Sequence, residues 1–164
     1  MLFRSRRDEA ASAFATALAI NPAQDAGRAE YVRLLASMGR VGEAVTAFEP
    51  LKAAARSDLA LAAVGQLLEA AAAIESSGTS ASLEAELREA LTLSDSPGDR
   101  LRLAQWLLLA ERWQEAMDEL LVIIGRDRSF KDDAARKAML AAFELCADAD
   151  LVRTYRRRLS AGLH

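Results

Sequence analysis

"DEAASAFATALAINP", Asp8 to Pro22, sets Ala10, Phe14, Ala17 and Pro22 at successive offsets of 4, 3 and 5. "GEAVTAFEPL", Gly42 to Leu51, repeats the first two offsets with Ala44, Phe48 and Leu51. Residues four and three apart lie on one face of a helix, so each stretch reads as a helix with a small residue and an aromatic on the same side. The small residue lets a neighbouring helix approach closely. Ala44 follows Ala10 by 34 residues, and a fixed period of this size marks a repeat architecture.

Working outward, "AGRAEYVRLLASMGR", Ala26 to Arg40, supplies a helix upstream of Ala44, with Tyr31, Leu34 and Leu35 on one face and Gly39 as its stop. "DRLRLAQWLLLAERWQEAMDELLVIIGRD", Asp99 to Asp127, is a further copy. Leu103 and Leu107 mark its first helix, Trp113 the turn, and Ala116, Leu120 and Ile123 its second helix. Ala116 follows Ala44 by 72 residues, two periods plus four, so a degenerate copy falls between them. Leu83, Leu87 and Ala90 take its second-helix positions.

The period and the small–aromatic–small spacing match the second helix of a tetratricopeptide repeat. The expected fold is therefore all-α, a right-handed superhelical solenoid of about nine helices. They are placed at 6–20, 25–38, 41–55, 58–76, 80–93, 98–110, 112–126, 130–146 and 149–162. One domain spans 1–164: a truncated first repeat at 1–22, a second at 25–56, a degenerate one at 58–93, a further one at 98–126 and a C-terminal helical pair at 130–164. Composition agrees, with 36 Ala and 25 Leu among 164 residues, both strong helix formers. Segments 75–82 and 94–99 read as the most flexible loops. Counting back one period from the second repeat puts the partner helix of the first before Met1, so that repeat is expected to lack its first helix.

A net charge of -3 and a pI near 5.3 argue against a general nucleic-acid binder. One cysteine cannot close an internal disulfide, which points to a reducing, cytoplasmic setting. Uninterrupted apolar runs such as "LLVIIG" at Leu120 to Gly125 are too short to cross a membrane. The N-terminus has no apolar stretch of the signal-peptide kind.

No residue constellation for catalysis or for a cofactor stands out. Cys146 has no histidine near it in sequence, and Asp148 and Asp150 oppose a thiolate, so it reads as a packed helix residue. His164 is terminal and isolated, and no cluster suggests a metal. Asp132 and Asp133 read as the acidic first turn of a helix, with Ser129 as its N-cap. Trp106 and Trp113 read as core and turn residues. Arg153, Arg156 and Arg157 share a helix face while Arg158 turns aside; that face either binds an acidic partner or pairs with neighbouring carboxylates. By repeat position, Ala29, Arg33, Ala36, Leu101, Gln105 and Leu108 face the concave wall, a groove for an apolar peptide.

The stretch "RDRSFKDDAARKAML", the repeat helix before it and the closing "LVRTYRRRL" helix closely resemble the C-terminal region of YbbN-type thioredoxin-like proteins, the chaperedoxins. In that family a thioredoxin domain precedes tetratricopeptide repeats. This chain has no W-C-x-x-C motif, so the resemblance implies the chaperone-associated part without the redox part. It implies a non-enzymatic module with protein partners, either unfolding clients or the folding machinery, and neither nucleic acid nor membrane. The alternative is an assembly subunit docking one fixed partner through its truncated end. The missing helix also suggests a bare apolar end at Leu2, Phe3, Phe14 and Leu18, and a weak homodimer through it, or fraying of residues 1–5 in a monomer.

Overall fold

The computed structural model describes residues 2–76 and 83–161, and the side chains of 5–76 and 83–161. Among them are nine α-helices and no strand: α1 (Leu2–Ile20), α2 (Asp25–Ser37), α3 (Val41–Phe48), α4 (Leu59–Ser76), α5 (Leu83–Leu93), α6 (Pro97–Leu109), α7 (Trp113–Arg126), α8 (Ala134–Leu145) and α9 (Ala149–Ala161). The expected all-α repeat fold is the one observed.

The repeat is visible in the backbone. At the end of α2, Gly39 N–H donates to Ala36 O (3.0 Å) and Arg40 N–H to Leu35 O (2.9 Å), with Gly39 left-handed at φ 73°. This is a Schellman stop. At the end of α6, Glu111 N–H donates to Leu108 O (3.1 Å) and Arg112 N–H to Leu107 O (2.9 Å), with Glu111 at φ 56°. The next residue is an arginine in both copies, and it grips the glutamate three residues on. Arg40 holds Glu43 through two bonds of 2.7 Å, and Arg112 holds Glu115 through bonds of 2.7 and 2.6 Å. The α2/α3 and α6/α7 hairpins pack tightly on themselves.

Three features differ from the expected elements. The helix expected over 41–55 stops at Phe48 and continues as two 3₁₀ turns, Glu49–Leu51 and Ala54–Arg56. Pro50 is the reason: it has no N–H for Thr46 O, and its ring crowds that carbonyl. The helix expected from 130 starts at Ala134, because Lys131, Asp132 and Asp133 are all left-handed, at φ 47°, 54° and 61°. They form a turn that swings α8 back over the array, so neither Ser129 nor Asp133 caps α8 with its side chain. Ser129 bonds Asp127 Oδ1 instead, from its backbone N at 3.0 Å and its hydroxyl at 2.9 Å. The start of the helix expected at 80 and most of the loop 75–82 lie outside the described residues.

The third difference is α4. By length and composition alone this helix is apolar enough to cross a membrane, although Gln66 and Glu69 divide it into short apolar runs. Its packing explains the composition. Leu61, Val64, Leu68 and Ala71 enter an N-terminal core with Leu35, Ala44 and Leu51, while Leu67 and Ile74 enter a C-terminal core with Leu107, Met117 and Met139. A helix that is buried on more than one face is apolar all round. It packs extensively on α2, α6 and α8 but scarcely on α5, its sequence neighbour. At Gly65 a Cβ would come within 3.2 Å of the Phe48 ring, so glycine lets α3 sit close to α4.

Candidate functional site

Asp148 starts α9 by accepting bonds from Asp150 N–H (3.1 Å) and Leu151 N–H (2.9 Å). From there Val152, Tyr155 and Leu159 form the buried stripe of the helix. The Tyr155 hydroxyl lies 2.7 Å from Asp118 Oδ1 and 3.3 Å from Gln114 O, both on α7. Arg158 donates to the same Asp118 oxygen at 2.7 Å and lies 4.7 Å from the centre of the Tyr155 ring. Burial first, and then the bond to Asp118, push the Tyr155 phenol up to about 12. This anchor ties α9 to α7 and takes Arg158 away from the other arginines, as the helical spacing indicated.

Because α9 is fastened to α7, it stands apart from α8. The opening between α8 and α9 is a groove of about 640 Å³, with Phe143, Cys146 and Val152 among its walls and Arg153, Arg156 and Arg157 along it. Its exposed lining is mainly apolar, with the guanidinium groups exposed to solvent. Arg153 pairs with Asp150 one turn back at 3.1 Å, with side-chain exposures of 69% and 86%. Arg156 reaches toward α8, with its guanidinium carbon 5.4 Å from the Phe143 ring centre and Nη2 at 3.8 Å from Glu144. Exposed pairs of this kind contribute about 0–1 kcal/mol, so they hold the arginines weakly.

The remaining candidates fall elsewhere. Gln105 and Leu108 line a separate cleft of about 520 Å³ between α4, α6 and α8. An open concave groove is not what forms: Ala29, Ala36, Leu101 and Leu108 are all buried. Ala29 and Ala36 are taken into the N-terminal core with α3 and α4, and Leu101 and Leu108 into the C-terminal core, where α8 packs across onto α4 with buried Ala135, Ala138, Ala141 and Ala142 allowing a close approach. Arg33 is on α2, bound to Glu30 at 3.0 Å and within 3.7 Å of Glu111 at the α6–α7 turn. At the N-terminal end the expected bare face is largely covered by α2. Phe14 stacks on Tyr31 at 6.1 Å and Leu18 is buried, while the side chains of Leu2 and Phe3 lie outside the described residues. The backbone is helical from Leu2.

Trp113 packs half-buried against the C-terminal core, and Trp106 does so beneath Arg112, whose guanidinium carbon is 5.8 Å from the ring centre. Cys146 is buried, with its sulfur 4.0 Å from Asp148 O. Among the described residues no group of His, Cys, Asp and Glu is placed to hold a metal.

Residues 75–164 match a family model described as tetratricopeptide repeat, and residues 4–70 match a second family of the same description. The chain belongs to the tetratricopeptide repeat family. No curated protein and no solved structure matches it. Tetratricopeptide repeats are modules of protein–protein interaction, and this repeat chain is therefore a protein-binding module.

Sequence spacing found the arginine face but not the groove floor. Val152 was legible, since it stands four residues before Arg156 on the same helix. Phe143 was not, because its place beside Arg156 depends on the angle between α8 and α9.

Proposed function

We propose that this tetratricopeptide repeat chain is the non-catalytic client- or chaperone-binding region of a thioredoxin-like co-chaperone, acting in the cytoplasm. One observation carries the reading: three weakly held arginines line a single groove that also offers apolar wall. Such a surface suits exposed apolar segments that carry acidic residues. The likeness of "RDRSFKDDAARKAML" and "LVRTYRRRL" to the C-terminal region of YbbN-type proteins supports the co-chaperone assignment. Broad recognition through an adaptable surface gives modest affinity for any one partner.

The test is suppression of aggregation. Three chemically unrelated proteins are unfolded by heat with increasing amounts of the chain, and light scattering is followed. Lower scattering for all three is expected. No effect on any of them, together with one tight partner at defined stoichiometry, would favour an assembly subunit that docks a single protein.

A further inference from the structure

We infer that the groove between α8 and α9 seats an acidic amphipathic helix of a partner protein, which lies along α9. This rests on the protein-binding reading above and names the partner's chemistry.

The shape comes from the way α9 is held. The pairs α2/α3 and α6/α7 close on themselves, whereas α4 scarcely meets α5 and packs on α2, α6 and α8 instead. The pair α8/α9 does not close either. Tyr155 and Arg158 fasten α9 to Asp118 on α7, which leaves a space open along both α8 and α9. The exposed apolar surface of this groove comes from Ala147 and Ala149, over the buried Phe143, Cys146 and Val152, and cations rim it.

The charge pattern selects the occupant. Arg153, Arg156 and Arg157 lie along α9 with Ser160 one turn beyond, a rise of about 10 Å at 1.5 Å per residue. A helix lying alongside meets them with carboxylates at i, i+3 or i+4, and i+7, next to an apolar stripe facing Ala147 and Ala149. The local carboxylates satisfy the arginines poorly. Asp150 is 86% exposed beside Arg153, Glu144 stands 3.8 Å from Arg156, and Arg157 is exposed. Guanidinium–carboxylate pairing with an incoming helix is stronger than these contacts because it is bidentate and partly desolvated. Arg156 exchanges Glu144 for the partner, and Glu144 acts as a built-in competitor.

The experiment uses the full chain and a fluorescein-labelled 16-residue helical peptide with Glu at i, i+3, i+4 and i+7 and Leu on the adjoining stripe. A Glu-to-Gln copy and a copy with a central proline are the comparison probes, and anisotropy is read at low and high salt. The Glu peptide is expected to bind, with at least about tenfold weaker binding of both comparison probes and weakening as salt screens the pairs. R156E/R157E is expected to weaken binding by at least about tenfold, whereas R7E/R56E, with the same change in net charge at remote exposed sites, leaves it within about twofold. Glu144→Gln is expected to tighten binding by about two- to fivefold. Circular dichroism melts confirm that each variant folds.

Equal weakening by R7E/R56E overturns the site, because it shows attraction by net charge alone. Unchanged binding of the proline copy overturns the helical occupant. Sedimentation showing a dimer that R156E/R157E abolishes identifies a second copy as the occupant and overturns the partner assignment. Aggregation suppression that survives in R156E/R157E removes this groove while leaving the proposed function standing. Absence of suppression by the unaltered chain removes that function whatever the peptide does.

Discussion

Gly39 and Glu111 occupy the same position in two copies of the repeat and take the same left-handed conformation, at φ 73° and 56°. Only glycine adopts that region without strain; other L residues lose about 1–2 kcal/mol there. Against this, glycine has a more disordered unfolded chain, a disadvantage of about 0.5–1 kcal/mol. Glu111→Gly also removes a 3.7 Å contact with Arg33, and with Glu111 62% exposed that contact lies at the weak end of the 0–1 kcal/mol range. The balance makes Glu111→Gly stabilising by about 0.5 kcal/mol. Gly39→Ala has the opposite sign. No atom lies within 4 Å of a Cβ added there, so the whole effect is backbone strain, and the loss is about 0.5–1 kcal/mol. Urea unfolding at neutral pH reads both, as shifts of the midpoint in opposite directions with an unchanged slope. In a chain of this size a shift of 0.5 kcal/mol moves Tm by about 1–2 °C. A neutral Gly39→Ala, or a Glu111→Gly that loses more than about 1 kcal/mol, would refute the equivalence of the two stops.

Ala142 is fully buried on α8, the helix that packs across onto α4, so Ala142→Leu should overpack the site and lose about 1–3 kcal/mol in a denaturant titration. Acid should weaken the fold through its exposed ion pairs. Asp95 is held below its ordinary range by Arg100 and then Arg126, Glu115 by Arg112, and Glu43 by Arg40. Their contribution is present above the unfolded values near 4 and is lost as pH falls through the lower folded values. Urea midpoints should therefore drop between about pH 4 and pH 2, and less steeply in high salt. The Tyr155 phenol should titrate at about 12 by absorbance at 295 nm, with Tyr155→Phe abolishing that step. Its folded value is raised, so the stability it contributes is complete below about pH 10 and fades as pH climbs toward 12.

The parts of the fold that were legible in sequence are those set by local chemistry. Ala10, Ala44 and Ala116 gave the period, Gly39 gave a stop, and the apolar spacing of α7 gave a buried face that the structure retains. The parts that were not legible depend on how distant helices meet. The three left-handed residues 131–133 carry no glycine, so the reversal that lays α8 on α4 left no local signal, and a groove expected along the concave wall is filled. In α4 the reading of a first helix of a degenerate repeat concealed a helix buried in two cores. At the candidate site, the grouping of Arg153, Arg156 and Arg157 and the departure of Arg158 followed from helical geometry. The place of Phe143 beneath them followed only from tertiary packing, because α8 and α9 stand apart.

Site-specific photo-crosslinking tests the central claim most directly, that partners dock at the α8–α9 groove. A photoreactive side chain replaces Ser160, beside the groove, or Thr16, exposed on α1, and each chain is irradiated with an unfolding client. The account requires client adducts from position 160 that fall when Arg156 and Arg157 are both changed to Glu, and no more than background from position 16. Equal adducts from both positions, or adducts at 160 indifferent to the arginines, would contradict it.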